Sequence, residues 1–440
     1  MKSLCSLLGS ILLLASQAHA VTLLDHDEWK VNMSGFVESD IVSDSRRSFD
    51  EVVSNKPVDQ PNTYGGDNGR LFMSNRNSRL AFAVLPPVQD GVTSKGYFEF
   101  DFLGYDPSVS SSNAPTNSES SFYSSPTLRI RHAYLSASHD DWNFLVGQTW
   151  SLFGWQPNYV LTTASVSPGP AILFQRTMQF TAMKTMAVGE EGKLTTAASA
   201  ARPTQRDSQV PNLDLGIRYN MGGRKSAFSA ATSDGSLEAL SVGLSGTFRQ
   251  YETPESATDT HGTKIYNGSG FAADVLVPIV AASGEDRSNT LTWTAEYVSG
   301  KGLGDEYPGW SGNLSQMPTG AGIANKTNMD TGIAGFDGNG DFHLIKTETM
   351  TTQLQYTFAQ ETHSFMTIGA SQLHAYSMAQ FSPAAGKVVY DHTSFYYINY
   401  FKDLTKQIRV AAEYEKIATH YVDTTNAFND RYQLSAYLRF

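Results

Sequence analysis

The sequence predicts an all-β chain closed into a transmembrane antiparallel barrel of sixteen strands, with eighteen as the alternative count. Three observations carry this. The last ten residues alternate between an apolar and a polar face; the candidate strands are joined by connections that alternate long and short; and beyond the N-terminal leader no run of eighteen apolar residues occurs. In residues 431–440, Tyr432, Leu434, Ala436, Leu438 and Phe440 share one face, and Arg431, Gln433, Ser435, Tyr437 and Arg439 the other. A two-residue period is that of a strand. A soluble edge strand has the same period, whereas a barrel uses a terminal strand of this kind, ending on an aromatic, to close on its first. Tyr432, Leu434, Leu438 and Phe440 are therefore the candidate closure residues.

Residues 1–20 read as a secretory signal peptide. Lys2 supplies the basic start, residues 4–15 the apolar stretch, and Ala18-His19-Ala20 an A-x-A cleavage site. Cys5, the only cysteine, lies inside it, so the processed chain can hold neither a disulfide nor a thiolate metal site. Residues 21–440 read as one domain, because no linker divides them and no plug domain precedes the strands. Charged residues make up 17% of the chain and aromatic residues 12%, with a mean hydropathy of -0.30. Helical membrane spans are excluded. A chain rich in Tyr and Phe but weakly hydrophobic suits strands with lipid on one side and water on the other. A secreted β-solenoid or sandwich array satisfies the composition nearly as well, although no internal repeat supports a solenoid. The net charge of -11 and the lack of a basic cluster argue against nucleic acid.

In chain order, the first strand is expected at residues 30–41, followed by a polar loop over 42–75. Strands at 77–85 and 96–103 come next. In the latter, Phe98, Phe100 and Phe102 alternate with Glu99 and Asp101, which suits a wall between lipid and water. A soluble sandwich would bury the same Phe row, so this pattern alone does not choose. After a Ser/Asn-rich loop at 106–126, residues 128–137 form a strand with Ile130, His132 and Tyr134 expected opposite Arg129, Arg131 and Ala133. Residues 142–150 return. Residues 151–175 have no strand period and hold Pro157, Pro168 and Pro170 between Trp155 and Phe174. Too apolar for a solvated tip, they are expected to fold inward and pack on a wall. Further strands are expected at 176–187, 194–201, 213–220, 226–232, 239–250, 270–279, 290–299, 344–358, 364–377, 393–401 and 407–419, before the terminal one.

These make seventeen candidates, and a single-chain barrel needs an even number with short turns at one end and long loops at the other. From the N-terminus, 42–75, 106–126, 151–175 and 202–212 are long, 86–95 is moderate, and 138–141 and 188–193 are short. From the C-terminus, 420–429, 378–392 and 300–343 are long, with 402–406 and 359–363 short. The two counts collide between about 221 and 270, where one strand is spurious or one is missed. The alternation is the strongest argument for a barrel, since a solenoid or sandwich array has no reason to show it.

Ionisable residues out of phase with the apolar positions are Arg79, Glu99, Asp101, Arg129, Arg131, Asp214, Arg218, Glu296, Arg409, Glu413, Arg431 and Arg439. In a barrel they face the interior. Arginine suits carboxylate or phosphate groups, and charged rings lining a pore set its selectivity. The plain alternative is that they pair and stiffen the wall. Arg129 and Arg131 are the leading pore-lining candidates, because two consecutive inward positions carry the same sign.

Enzyme motifs are missing: there is no HExxH, GxSxG or P-loop. Barrel enzymes that carry their groups on the exterior or rim leave no diagnostic spacing, so this scan does not reach them. His132, in an apolar phase, is expected at a membrane boundary rather than as a ligand. Asp337, Asn339 and Asp341 have the spacing of a calcium loop, with Glu348 at its twelfth position. Phe342, however, occupies the place of the required glycine, and a polar turn explains the same residues.

The segment Gly147-Gln148-Thr149-Trp150-Ser151-Leu152-Phe153, the return from Pro168-Gly169-Pro170 to Gln175-Arg176, the early Gly35-Phe36-Val37 and Asn77-Ser78-Arg79-Leu80, and the terminal Phe440 resemble those of trimeric outer-membrane diffusion porins, most closely the DcaP-like porins. The likeness covers most of the processed chain in layout and is specific mainly between 142 and 184. The N-terminal coiled coil of some members has no counterpart in the roughly ten residues before the first strand. The resemblance implies sixteen strands, a homotrimer in outer-membrane lipid and lipopolysaccharide, and residues 151–175 as a pore-constricting loop. It implies no cofactor, and passive uptake of small hydrophilic solutes, leaning to anionic ones, along a basic ladder. That ladder maps onto Arg79, Arg129, Arg131 and Arg176, the last in phase with Met178 and Phe180 and so near the loop foot. A secreted or surface β-rich adhesin is the alternative.

Overall fold

A strand with one apolar and one polar face has a partner for every backbone group only when its sheet closes on itself. The computed structural model describes residues 20–48, 56–104, 127–165, 169–206, 208–254, 263–315 and 328–440. The signal-peptide expectation lies outside them except for Ala20, as does the expected loop at 106–126. Strand β1 (Val21–His26) forms a hairpin with β2 (Trp29–Asp44). There follow β3 (Arg70–Ser74), β4 (Arg79–Leu85), β5 (Thr93–Gly104), β6 (Thr127–His139), β7 (Trp142–Trp150), β8 (Arg176–Val188) and β9 (Gly192–Ala201). The chain continues with β10 (Asn212–Phe228), β11 (Ser236–Pro254), β12 (Thr263–Val280) and β13 (Thr290–Lys301). A small hairpin of β14 (Ala334–Phe336) and β15 (Phe342–Leu344) stands within the next connection. Last come β16 (Lys346–Thr357), β17 (Ser364–Ala375), β18 (Tyr390–Asp403), β19 (Ile408–Tyr421) and β20 (Asn426–Arg439).

Each ring strand pairs antiparallel with the next, and β20 pairs with β2, so the ring closes. The sheet contains eighteen strands, but β1 is an extra hairpin arm. Moreover, β3 and β4 both pair with β2, over Asp40–Asp44 and Lys30–Phe36 respectively. They are two halves of one ring strand, interrupted where Ser78 N–H turns back to Asn75 O at 3.2 Å. Among the described residues the barrel therefore has sixteen ring strands, and the eighteen-strand alternative falls. The spurious candidate is 226–232: β10 runs unbroken to Phe228 through an irregularity between Met221 and Lys225, and the residues after it are a turn.

Two other expectations change. The 420–429 connection is short, because β19 extends to Tyr421 and β20 begins at Asn426. The phase of β6 also shifts. Glu99 pairs with His132 and Phe100 with Ile130, leaving Arg131 as a bulge. Beyond it the alternation is reversed, so His132 and Tyr134 are buried beside Arg131 rather than facing outward.

The outer surface is apolar in the expected phase, with Phe98, Ile130, Leu215, Ile398 and Leu434 exposed. The closure residues stand on it: Leu438 opposite Val37, Leu434 opposite Ile41, and Tyr432 opposite Ser43. Phe440 and Gly35 exchange backbone hydrogen bonds of 2.7 and 3.0 Å. Among the described residues no helix is long and apolar enough to cross a membrane.

Candidate functional site

Residues 151–165 and 169–175, from the connection between β7 and β8, run inside the ring. Gly154, at φ 73°, takes a left-handed conformation that glycine adopts without cost as the chain leaves the wall. Phe153, Leu161, Ile172 and Leu173 then join Val298, Leu303, Leu373 and Phe395 in a buried cluster. Each such side chain contributes roughly 1.5–3 kcal/mol on burial, which is why an apolar, period-free stretch lies in the lumen rather than in water. Trp155 occupies space that Cβ atoms at Gly216 and Gly243 would enter, at 2.7 and 2.8 Å from its side chain, and its Nε1 donates to Leu244 O at 3.0 Å.

The tip of the segment is fastened to the opposite wall. Thr162 N donates to Gln353 Oε1 at 2.8 Å, and Asn399 Nδ2 donates to Thr162 O at 2.8 Å. The Glu413 carboxylate accepts from Ala164 N at 2.8 Å, from Ser165 N at 3.2 Å and from the Thr163 hydroxyl. Gln433 Nε2 donates to Ala164 O at 2.7 Å. Its roots are the fifth and sixth ring strands and its anchors the twelfth to sixteenth, so the segment spans the lumen.

Beside it, the charged residues of β4, β5 and β6 meet. Arg129 makes a two-point pair with its register partner Asp101, Nε to Oδ1 at 3.0 Å and Nη2 to Oδ2 at 2.5 Å. Arg131 reaches Glu99 Oε1 at 2.5 Å and Asp101 Oδ2 at 3.1 Å; the bulge places it between both carboxylates. Arg79 lies 3.8 Å from Glu99 and 5.1 Å over the Phe36 ring. Its Nε is buried without a hydrogen-bond partner among the described residues. Arg176 stacks over Trp150 at 4.5 Å and Phe174 at 5.1 Å. This side of the wall therefore carries four guanidinium groups, Arg79, Arg129, Arg131 and Arg176, against three carboxylates, Glu38, Glu99 and Asp101. A cavity of about 270 Å³ lies between Val160 to Ser165 of the crossing segment and a wall that includes Glu38, Asn77, Arg79, Glu99 and Arg131.

The other predicted residues are inward but separate. Arg218 stands 5.5 Å from the Trp155 ring. Glu296 is the register partner of Asp274 beneath Gly154. Arg409 grips Asp403 at 2.6 and 2.9 Å, and Arg431 grips Asp44 at 2.7 and 3.0 Å across the closing seam. They form local pairs rather than one ladder. Sequence reasoning missed the buried Glu38, Asp40 and Asp44 on β2, although their even spacing, two and then four residues, was in plain view. It also missed Arg249, whose partners Asp305 and Glu306 come from a loop more than fifty residues away. His132 Nδ1 lies 3.1 Å from Thr149 Oγ1.

The residues of the calcium candidate form a turn. Asp337 Oδ1 accepts from the backbone N–H groups of Asn339 at 2.8 Å and Asp341 at 3.0 Å, and Oδ2 lies 3.1 Å from His343 Nε2. The Asp341 amide holds the Asp337 carboxyl below its usual range. Asp337 thus closes the β14–β15 hairpin. Glu348 lies in β16, next to Lys346 and bonded by the Tyr376 hydroxyl.

No model of a known protein family matches the sequence, and no curated protein matches it. Solved structures do. The outer membrane channel DcaP of Acinetobacter baumannii has a TM-score of 0.62 at 18% identity, covering 94% of this chain and 97% of that one. An anion-selective porin from Comamonas acidovorans has a TM-score of 0.55 at 9% identity over 94% and 100%. Salmonella typhi OmpF, solved with daunomycin, has a TM-score of 0.52 at 11% identity over 96% and 100%. With its closed sixteen-strand ring and a likeness that extends over nearly the whole of these chains, this protein has the porin fold.

Proposed function

We propose that the protein is a passive, water-filled diffusion channel of the bacterial outer membrane for small hydrophilic solutes, leaning to anionic ones. The observation that carries this reading is the cavity between the crossing segment and a charged wall, which presents Arg79 and Arg131 beside Glu38 and Glu99 and continues into Arg129 and Arg176. At about 270 Å³ it falls below the ~300–1,000 Å³ of pockets that enclose drug-sized ligands, which fits passage of small solutes. Residues 151–175 are the constricting loop. Arg79, Glu99, Asp101, Arg129, Arg131, Arg176, Arg218, Glu296, Arg409 and Arg431 form the charged lining. Because Arg129 and Arg131 are bonded directly to Asp101 and Glu99, Arg176 and the more loosely held Arg79, with Glu38 on the same wall, are the guanidinium groups left to meet a solute. The processed chain sits as a homotrimer among outer-membrane lipid and lipopolysaccharide, and transport requires no catalysis or cofactor.

Ion substitution on the refolded protein in planar bilayers tests this. Wild-type protein should conduct, and Arg79→Gln should lower the anion/cation permeability ratio. A reversal potential unchanged by that substitution would remove the anionic preference. A folded trimer that passes no current would remove the channel reading. Crosslinking and unheated gel mobility report the trimer.

A further inference from the structure

The turn after β10, residues 229–235, does not stay at the barrel wall. It leaves the eighth ring strand and returns to the ninth; Arg287 Nη1, from the nearby connection between β12 and β13, donates to Gly235 O at 2.9 Å, yet other partners belong to the far side. Arg409 Nη1, from β19, donates to three of its carbonyls, Ala230 O at 3.0 Å, Ala231 O at 2.9 Å and Ser233 O at 2.8 Å. Arg439 Nη1, from β20, reaches Asp234 Oδ1 at 2.7 Å. Ala231 packs against a cluster that includes Phe36, Phe401 and Tyr437. These strands are the first, fourteenth, fifteenth and sixteenth of the ring, so the turn bridges the barrel at the end where β20 finishes.

It also meets the segment that crosses from the other end. Thr162 Oγ1 donates to Ser229 O at 2.9 Å. Gln355 holds both backbone groups of Ser229, accepting from its N–H at 2.6 Å and donating to its carbonyl at 2.9 Å. Ala230 to Ser233 line the same cavity as Val160 to Ser165. A short turn in contact only with its own strands would do none of this. Here two buried arginines from the opposite wall spend donors on holding a turn in place.

We propose that residues 229–235 are a second constriction on the periplasmic side, and that Ala231 and Thr232 set the solute size limit jointly with Thr162 and Thr163. This rests on the channel reading. A solute passing the crossing segment enters a space whose floor is this turn. Its exit is therefore shaped by backbone and small side chains, while charge selection occurs at the arginine wall beside it.

The test uses the thiol-free processed chain, since the only cysteine is Cys5. Thr232→Cys channels are treated with a methanethiosulfonate reagent in planar bilayers, with wild type as control. Narrowing a constriction lowers conductance, so a loss of roughly two-fold is expected for the variant and none for wild type. Ala231→Trp, which needs no reagent, should lower conductance likewise. If wild type conducts but both variants keep its full conductance, residues 229–235 lie off the solute path and this inference falls alone. If folded wild type passes no current, the channel reading falls and this one with it.

Discussion

At the scale of single residues, the charged side chains divide into fasteners and surplus. Arg131 is a fastener. It is 3% exposed, and its partner Asp101 is fully buried. Removing one member of a buried pair leaves the other charge uncompensated, which costs about 3–5 kcal/mol, far more than an exposed pair is worth. Arg131→Ala should therefore lower the unfolding free energy of the barrel by an amount in that range, measured by denaturant titration followed by tryptophan fluorescence; a loss below about 1 kcal/mol would show that Asp101 is adequately held by Arg129 alone. Which charged residues face inward was legible in the sequence, because the lipid side admits almost no charge and the two-residue period does the rest; His132 and Tyr134, beyond the bulge at Arg131, were assigned to the wrong face. Which inward charges pair was not. Asp101 and Arg129 meet only because β5 and β6 are in that register, and Arg131 reaches both carboxylates only because a bulge turns it.

Elements show where local reading stops. The period of β20 and the missing period of residues 151–175 were both readable. Residues 226–232 were read as a separate strand instead, since Ser226 to Phe228, which belong to β10, continue the alternation and the chain's departure inward after them is held by Arg409, some 180 residues away. β3 was equally hidden, lying inside the expected loop at 42–75; at the break that separates it from β4, Asn77 donates to Glu38 of the neighbouring strand at 2.7 Å. The crossing segment owes its position to a similar distant partner, Glu413, which accepts three hydrogen bonds from residues 163–165. A carboxylate can accept on both oxygens, whereas an amide has one accepting oxygen and an NH₂ that must itself donate. Glu413→Gln should accordingly loosen the tip. The expected result is greater open-channel current noise with the barrel's heat stability little changed, recorded on single channels. Noise identical to wild type would mean that Gln353, Asn399 and Gln433 hold the tip without it.

For the whole molecule, the exterior is the dominant constraint. Leu434 is 58% exposed, facing outward midway along β20 between Ile41 and Ala412. An arginine there would meet lipid, at a cost of about 2–4 kcal/mol near the bilayer midplane. Leu434→Arg should lower the folding free energy in lipid vesicles by that amount, while a change to alanine should cost less. Equal effects would place Leu434 away from the hydrocarbon core. The strand number, too, is a property of the whole. The sequence could bound it by parity, but only the pairing of β3 and β4 with one neighbour decides it.

The seam between β2 and β20 has a consequence for biosynthesis. Residues near 36 pair with residues near 439, so the first ring strand to be made waits for the last. Until β20 arrives, the sheet has two raw edges, each a row of unsatisfied amides and carbonyls able to recruit any passing strand. A product broken off before β20 keeps both edges permanently and is marked as defective by its own geometry. The Asp44–Arg431 fork, buried on that seam, forms only when both ends are present. The contacts that seal the wall thus form only when residues 36–44 and 431–439 are both in place.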